Sequence, residues 1–258
     1  MQSLEDELET ARQLAIDDLA DAIESIGFEC TRCGACCRGL GEEEHTATVF
    51  PDEVRELGGN EGGEGDGGEY DWRDVARPMP YGLSETEDGT LEGETFEWAV
   101  QTDDCGDCVF YEEDDDGTGA CVAHDDRPLI CRTYPFSVVL ADEASEGSSD
   151  GTLAGTSQPM GEAVDSVALP THGDTGDAGD TGDEGGVVRA HECEGLGREI
   201  SREDAEDLAR SLKERAVREL EEAIAVRDNY TPVAPDAGDV VVHDSEGQKR
   251  LDGTPLEE

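Results

Sequence analysis

Cys30-Thr31-Arg32-Cys33-Gly34-Ala35-Cys36-Cys37 crowds four thiols into one short run, and how that run is read decides the fold. Three of them are spaced Cys-x2-Cys-x2-Cys, so one tight turn can aim several sulfurs at a single centre, as in ferredoxin-type iron–sulfur proteins and zinc knuckles. Gly34 inside the run allows backbone conformations that other residues resist. Cys36 and Cys37 are neighbours whose side chains tend to diverge. One can therefore serve a first metal while the other serves a second metal or stays a reactive thiol. Further along lie Cys105-x2-Cys108, Cys121, Cys131 and Cys193, for nine cysteines in all. An odd count fits poorly with complete disulfide pairing. In a reducing compartment such a set points to metal or redox chemistry.

The rest of the composition bounds the setting. Sixty-seven acidic residues face 18 basic ones, a net charge of -49, and only Lys213 and Lys249 are lysines. Acidic residues recur from end to end, so this is not an acidic tail. The pattern resembles a protein of a salt-accumulating archaeal halophile, since at molar salt the Debye length is only about 3 Å and surface carboxylates repel weakly. The competing reading is an intrinsically disordered acidic chain. Such a field opposes nucleic acid and anionic membrane as partners. No segment approaches the roughly 20 apolar residues of a membrane helix. The start, Met-Gln-Ser-Leu-Glu-Asp-Glu, lacks a basic or apolar leader, so a cytoplasmic location is expected.

Outward from the cysteine run, residues 2–26 read as one amphipathic helix. Leu4, Leu8, Ala11, Ala15, Leu19, Ala22, Ile23 and Ile26 share its apolar face, and Gly27 stops it. Thr46–Phe50 suggests a short strand, and Pro51 the first position of a short helix. Residues 58–69 read as a low-complexity loop. Phe96–Thr102 suggests a second strand. Ser201 to Asp204 resembles a capping box opening a helix to about Asp228, with Ala205, Leu208, Leu212, Ala216, Leu220 and Ile224 on one face. The expected fold is α+β: a small irregular cysteine-rich metal-binding core flanked by N- and C-terminal helices, with disordered acidic loops. The expected organisation is an N-terminal helix (1–27), the cysteine core (28–140), an acidic flexible insertion (141–186), a closing cysteine motif with the C-terminal helix (187–230), and a loose tail (231–258).

The run Phe28-Glu-Cys30-Thr-Arg-Cys33-Gly34-Ala-Cys36-Cys37-Arg38 resembles the opening motif of the YkgJ-type CxxCxxCC family, described as a zinc- or iron-chelating domain. Cys108-Val-Phe-Tyr, Cys121-Val-Ala-His124 and Arg127-Pro128-Leu-Ile-Cys131-Arg132-Thr-Tyr134-Pro135-Phe136 are similar to its second block. Cys193-Glu-Gly195-Leu-Gly197 resembles its closing element, with Glu194 where proline is common. The resemblance implies Cys30, Cys33, Cys36, Cys37, Cys108, Cys121, Cys131 and Cys193 as metal ligands. It also implies a cofactor that is either an iron–sulfur cluster or zinc. Cys105 lies outside the family pattern and stands as a substitute ligand or a spare thiol.

His124, His191 and His45 can each ligate, orient a cysteine, or sit on a loop. Arg38, Arg127 and Arg132 flank thiols and either compensate their charge or pair with nearby carboxylates. Tyr134 to Phe136 is expected to pack against the metal site. No dinucleotide fingerprint, P-loop, serine elbow or zincin helix occurs. Three functions remain: a cytoplasmic metal-binding protein, an iron–sulfur redox enzyme, or a zinc-stabilised module that binds a protein partner.

Overall fold

A computed structural model describes residues 3–39, 44–59, 71–86, 89–140, 163–170, 186–236 and 238–256. Its helices are α1 (Leu4–Gln13), α2 (Ile16–Ile26), α3 (Pro51–Gly59), α4 (Leu129–Thr133) and α5 (Arg202–Asn229). Its strands are β1 (Thr48–Val49), β2 (Ala76–Pro78), β3 (Leu83–Glu85), β4 (Leu91–Thr95), β5 (Trp98–Val100) and β6 (Tyr111–Glu113). They continue with β7 (Gly119–Cys121), β8 (Phe136–Val139), β9 (Ala163–Ala168), β10 (Val187–His191), β11 (Val240–Asp244) and β12 (Gly247–Lys249). The class is α+β, with helices and several small sheets. Two compact units share the chain: Met1–Thr31 with Arg132–Glu221, and Arg32–Cys131 with Glu222–Glu258.

In the first unit the apolar repeat of residues 2–26 yields two helices rather than one. Leu14 and Ala15 are extended (ψ 128° and 129°), which breaks the run. The carbonyl of Leu14, freed from helical bonding, accepts from Lys213 Nζ at 2.8 Å, so the break is satisfied by a side chain of α5. Ser3 caps α1 through a capping box with Asp6, and Gly27 ends α2 at φ 78°. The buried Leu19, Ala22, Ile23 and Ile26 form the inner face of α2. The sheet runs β8-β10-β9, antiparallel throughout, with Phe136, Val138, Val188 and Ala190 buried. Strand β9 lies inside the 141–186 stretch expected to be an insertion without structure; the remainder of that stretch, apart from 169–170 and 186, is outside the described residues. The same holds for most of the 58–69 loop. Ser201 Oγ accepts from the Asp204 amide at 3.1 Å and donates to its carboxylate at 2.6 Å, which starts α5.

The second unit has its own core of Val54, Leu57, Trp72, Val75, Trp98, Val100, Val240 and Val242. Cys108, Phe110 and Cys121 pack against its edge. Two sheets serve it, β1-β5-β2 and β12-β11-β4-β3. Residues 240–249 are therefore a hairpin and not part of a loose tail. Its anchor is a buried ion pair: Lys249 Nζ lies 2.8 Å from an Asp244 carboxylate that also accepts from Trp98 Nε1 at 2.8 Å. Lys249 Nζ also sits 4.9 Å from the centre of the Trp72 ring.

Candidate metal centre

The cysteine run folds as a tight turn. Arg32 and Gly34 both take positive φ, 58° and 74°, and the amide of Cys37 closes the turn on the Gly34 carbonyl at 2.9 Å. Three further bonds fasten it within the second unit. Gly119 N–H donates to the Arg32 carbonyl at 2.8 Å, Cys108 N–H to the Cys37 carbonyl at 2.9 Å, and Gly39 N–H to Asp107 Oδ1 at 3.0 Å. The first comes from the β6–β7 hairpin and the second from the residue pair just before it. That hairpin ends on Cys121, opposite Tyr111 in register.

Tyr111 is the strut between turn and hairpin. A Cβ on Gly34 would meet its phenol oxygen at 2.2 Å, and one on Gly119 would meet its ring at 2.7 Å, so glycine on both sides makes room for the ring. The phenol donates to Glu113 at 2.8 Å and accepts from Arg38 at 2.5 Å, while Arg38 also pairs with Glu113. Arg38 is thus committed to this triad and does not stand as a free counter-charge for the thiols.

Cys131 arrives on α4, which is aimed by a buried carboxylate. Glu53 accepts from the Phe50 amide at 3.0 Å through one oxygen and from the Leu129 amide at 2.8 Å through the other. It caps the starts of α3 and α4 together.

Electrostatics shows which thiols share one neighbourhood. Cys36 raises Cys108, Cys121 and Cys131, Cys121 raises Cys108 and Cys131, and Cys108 raises Cys131. Cys108 is pushed up to about 11, mainly by burial, with Cys121 and Cys36 adding to it. Burial likewise leads the upward shifts of Cys121 and Cys131. Cys36 is also raised, first by its bond with the Cys37 thiol, whose sulfur lies 3.9 Å away, then by burial. Arg127 pulls Cys36 and Cys121 the other way, and its guanidinium is held by the His124 carbonyl at 3.0 Å. Packing weakly hydrated thiols together disfavours every thiolate, and a bound cation reverses that balance.

The eight cysteines expected as ligands divide between the units. Cys33, Cys36, Cys37, Cys108, Cys121 and Cys131 belong to the second, Cys30 and Cys193 to the first. In the first unit Glu29 N–H donates to the Gly195 carbonyl at 3.0 Å and Phe28 bridges Leu196. The segments carrying Cys30 and Cys193 are therefore paired. Gly195 is required there, since a Cβ would meet the Glu29 oxygen at 2.3 Å. Cys105 is exposed on a turn where its amide donates to Asp103. Among the described residues no three His, Cys, Asp or Glu side chains converge in a geometry set to hold a metal. The donor chemistry nonetheless fits zinc or iron: Cys131 is raised by Cys36, Cys108 and Cys121, a fifth thiol, Cys37, lies beside Cys36, and Arg127 is a cation nearby.

Of the histidines, His124 is exposed beside Asp125, and His191 Nε2 bonds Ser137 Oγ at 2.8 Å. His45 is buried, and its Nδ1 has no hydrogen-bond partner. Burial chiefly lowers its pKa to about 4, so the ring is neutral. Phe136 packs edge-on to Phe28, 5.8 Å between centroids, and is fully buried, so this end of the Tyr134–Phe136 stretch is a core element. Sequence reasoning passed over Glu53. Its signal was a carboxylate at the third position of a proline-initiated helix, the reciprocal half of a capping box.

A family model, CxxCxxCC, described as "Putative zinc- or iron-chelating domain", matches residues 29–154, just under half of the chain. The match takes in every cysteine from Cys30 to Cys131 and stops short of Cys193. It supports metal binding in general. No curated protein and no solved structure matches. No helix among the described residues is long and apolar enough to cross a membrane.

Proposed function

We propose that this protein is a metal-chelating protein of the CxxCxxCC type, with its principal centre in the second unit at Cys36, Cys108, Cys121 and Cys131. The observation that carries the reading is that Cys36, Cys108 and Cys121 all raise Cys131, which gathers thiols from the turn, the segment before β6, the end of β7 and α4 into one neighbourhood. Four sulfurs suit one tetrahedral zinc or iron, or one iron–sulfur cluster. Cys33 and Cys37 are further donors on the same turn. Cys30 and Cys193 form a separate donor pair on their own paired segments.

A bound cation supplies charge that stabilises thiolates and, by bridging distant parts of the chain, adds its binding free energy to folding. The protein's own residues do the rest. Tyr111 and the two glycines hold the turn against the hairpin, Glu53 aims α4, and Arg127 offsets thiolate charge. Each protonated thiol must give up its proton on binding. Anaerobic purification followed by elemental analysis and a visible spectrum tests the reading. Bound zinc in colourless protein, or bound iron with visible absorption, supports it and separates the two. Protein that carries neither metal, and takes up neither when offered, overturns it.

A further inference from the structure

Phe96 and Tyr230 are 49% and 42% exposed and lie side by side, 5.7 Å between ring centroids. Both rest on the buried ring of His243: Phe96 stacks on it at 5.2 Å and Tyr230 leans on it at 4.9 Å. All three belong to the second unit, as does Glu94, and none is part of the metal centre. The backbone builds this shelf. Strand β11 runs parallel to β4 with Val241 opposite Glu94, which carries His243 alongside Phe96. Tyr230, just past α5, is pinned from both sides to the β11–β12 hairpin. Asn229 Nδ2 donates to the Ser245 carbonyl at 2.7 Å, and Gln248 Nε2 donates to the Thr231 carbonyl at 2.6 Å. Two half-exposed aromatic rings are thus fixed in place, and fixing a surface beforehand lowers the cost of binding to it.

Charge decides what the shelf takes. A carboxylate only accepts, so His243 Nε2 is the donor in its 2.9 Å bond to Glu94 Oε2. The buried Nδ1 has no partner, and charging the ring would put a second N–H there with nothing to accept it. The ring is therefore neutral and Glu94 keeps its full negative charge, in a chain of net charge -49. Among the described residues the second Glu94 oxygen is free to accept. An aromatic face attracts cations and repels anions. An apolar partner would strip water from Glu94 and replace it with nothing. A guanidinium lies flat on a ring and donates to a carboxylate at once. Rings this exposed offer faces and not an enclosure, so a small free cation gains little; a side chain presented by a protein brings its surrounding contacts with it. We propose that the Phe96–Tyr230 shelf, with the Glu94 carboxylate beside it, docks an arginine side chain of a partner protein.

The test is NMR of the full chain in molar KCl, where non-specific attraction to the acidic surface is screened. The probe is a blocked peptide with one arginine flanked by glycines, set beside the same peptide with neutral citrulline in its place. The arginine peptide should shift the ring signals of Phe96 and Tyr230 and the carboxylate of Glu94, and the citrulline peptide should leave them unmoved. Phe96→Leu and Tyr230→Leu should each weaken binding of the arginine peptide by about two- to fivefold. Glu94→Gln still accepts from His243 but lacks the charge, and it should weaken binding as well. Should a variant fail to fold by circular dichroism, the shifts in the unsubstituted chain decide alone. Shifts spread over the acidic surface with no preference for the two rings, equal shifts from the citrulline peptide, or no shifts at all overturn the proposal.

Discussion

Gly34→Ala tests how the cysteine turn is held. The substitution carries two separable costs. Gly34 sits at φ 74°, and placing an L side chain there costs about 1–2 kcal/mol. The new Cβ would also meet the Tyr111 phenol oxygen at 2.2 Å and its ring carbons at 2.5 and 2.7 Å. The ring cannot retreat easily, because Arg38 and Glu113 grip its hydroxyl and Gly119 leaves no slack behind it. Overpacking of this kind costs about 1–3 kcal/mol. The sum is about 2–5 kcal/mol, a large share of the stability of a domain of this size. The assay is urea unfolding of the metal-free protein in molar KCl, followed by far-UV circular dichroism, for Gly34→Ala, Tyr111→Val and the double variant. Removing the ring should recover the packing part, so the double variant should be more stable than additivity predicts, by about 1–3 kcal/mol. A Gly34→Ala protein within about 0.5 kcal/mol of the unsubstituted chain, or a strictly additive cycle, would refute the buttressing account.

Four further outcomes follow from the same structure. Because the four clustered thiols are protonated near neutrality, zinc or iron binding must release protons. Affinity measured by chelator competition should therefore climb with pH, by up to about tenfold per unit for each thiol displaced, and a flat profile would contradict it. In the metal-free protein the raised Cys108 acts the opposite way on stability. Its contribution is intact below its ordinary value of 9.0 and lost as pH rises through about 11, which denaturant midpoints across that window will show. At the acid end, Glu246 is held down to about 2 by Arg55 first and Lys249 next, so its contribution is present above its ordinary 4.5 and lost as pH falls through about 2. Lys249→Met, which strands the buried Asp244 carboxylate, should cost about 3–5 kcal/mol in thermal or urea unfolding, and a neutral result would show that the hairpin is not anchored there.

The sequence carried the metal reading further than it carried the chain's organisation. The cysteine run, Gly27 and Gly34, Pro51 and Ser201 each act locally, through a turn, a φ value or a cap, and local chemistry is legible in one dimension. The break at Leu14–Ala15 was not, because the residue that satisfies the freed carbonyl is Lys213, far along the chain. Strand β9 hid in polar, Gly-rich surroundings, since only its pairing with β10 makes Ala163–Ala168 a strand. The β11–β12 hairpin had a signal that went unused: Val240-Val241-Val242, then a turn closing at Gly247. At the site, the family register supplied eight cysteines, but spacing alone could not say that four of them share one neighbourhood. Nor could it show that Arg38 serves Tyr111, or that His45 is buried. Those facts depend on three distant segments being brought together by Gly119, Tyr111 and Glu53.

The central claim is that Cys36, Cys108, Cys121 and Cys131 hold one metal. Zinc and iron content of the anaerobically purified full chain, measured beside the four single Cys→Ser variants and a Cys105→Ser control, tests it most directly. The account predicts metal in the unsubstituted protein and in Cys105→Ser, and its loss or sharp weakening in each of the four, with folding followed by circular dichroism. Metal retained by folded variants at all four positions, or lost only from Cys105→Ser, would contradict it.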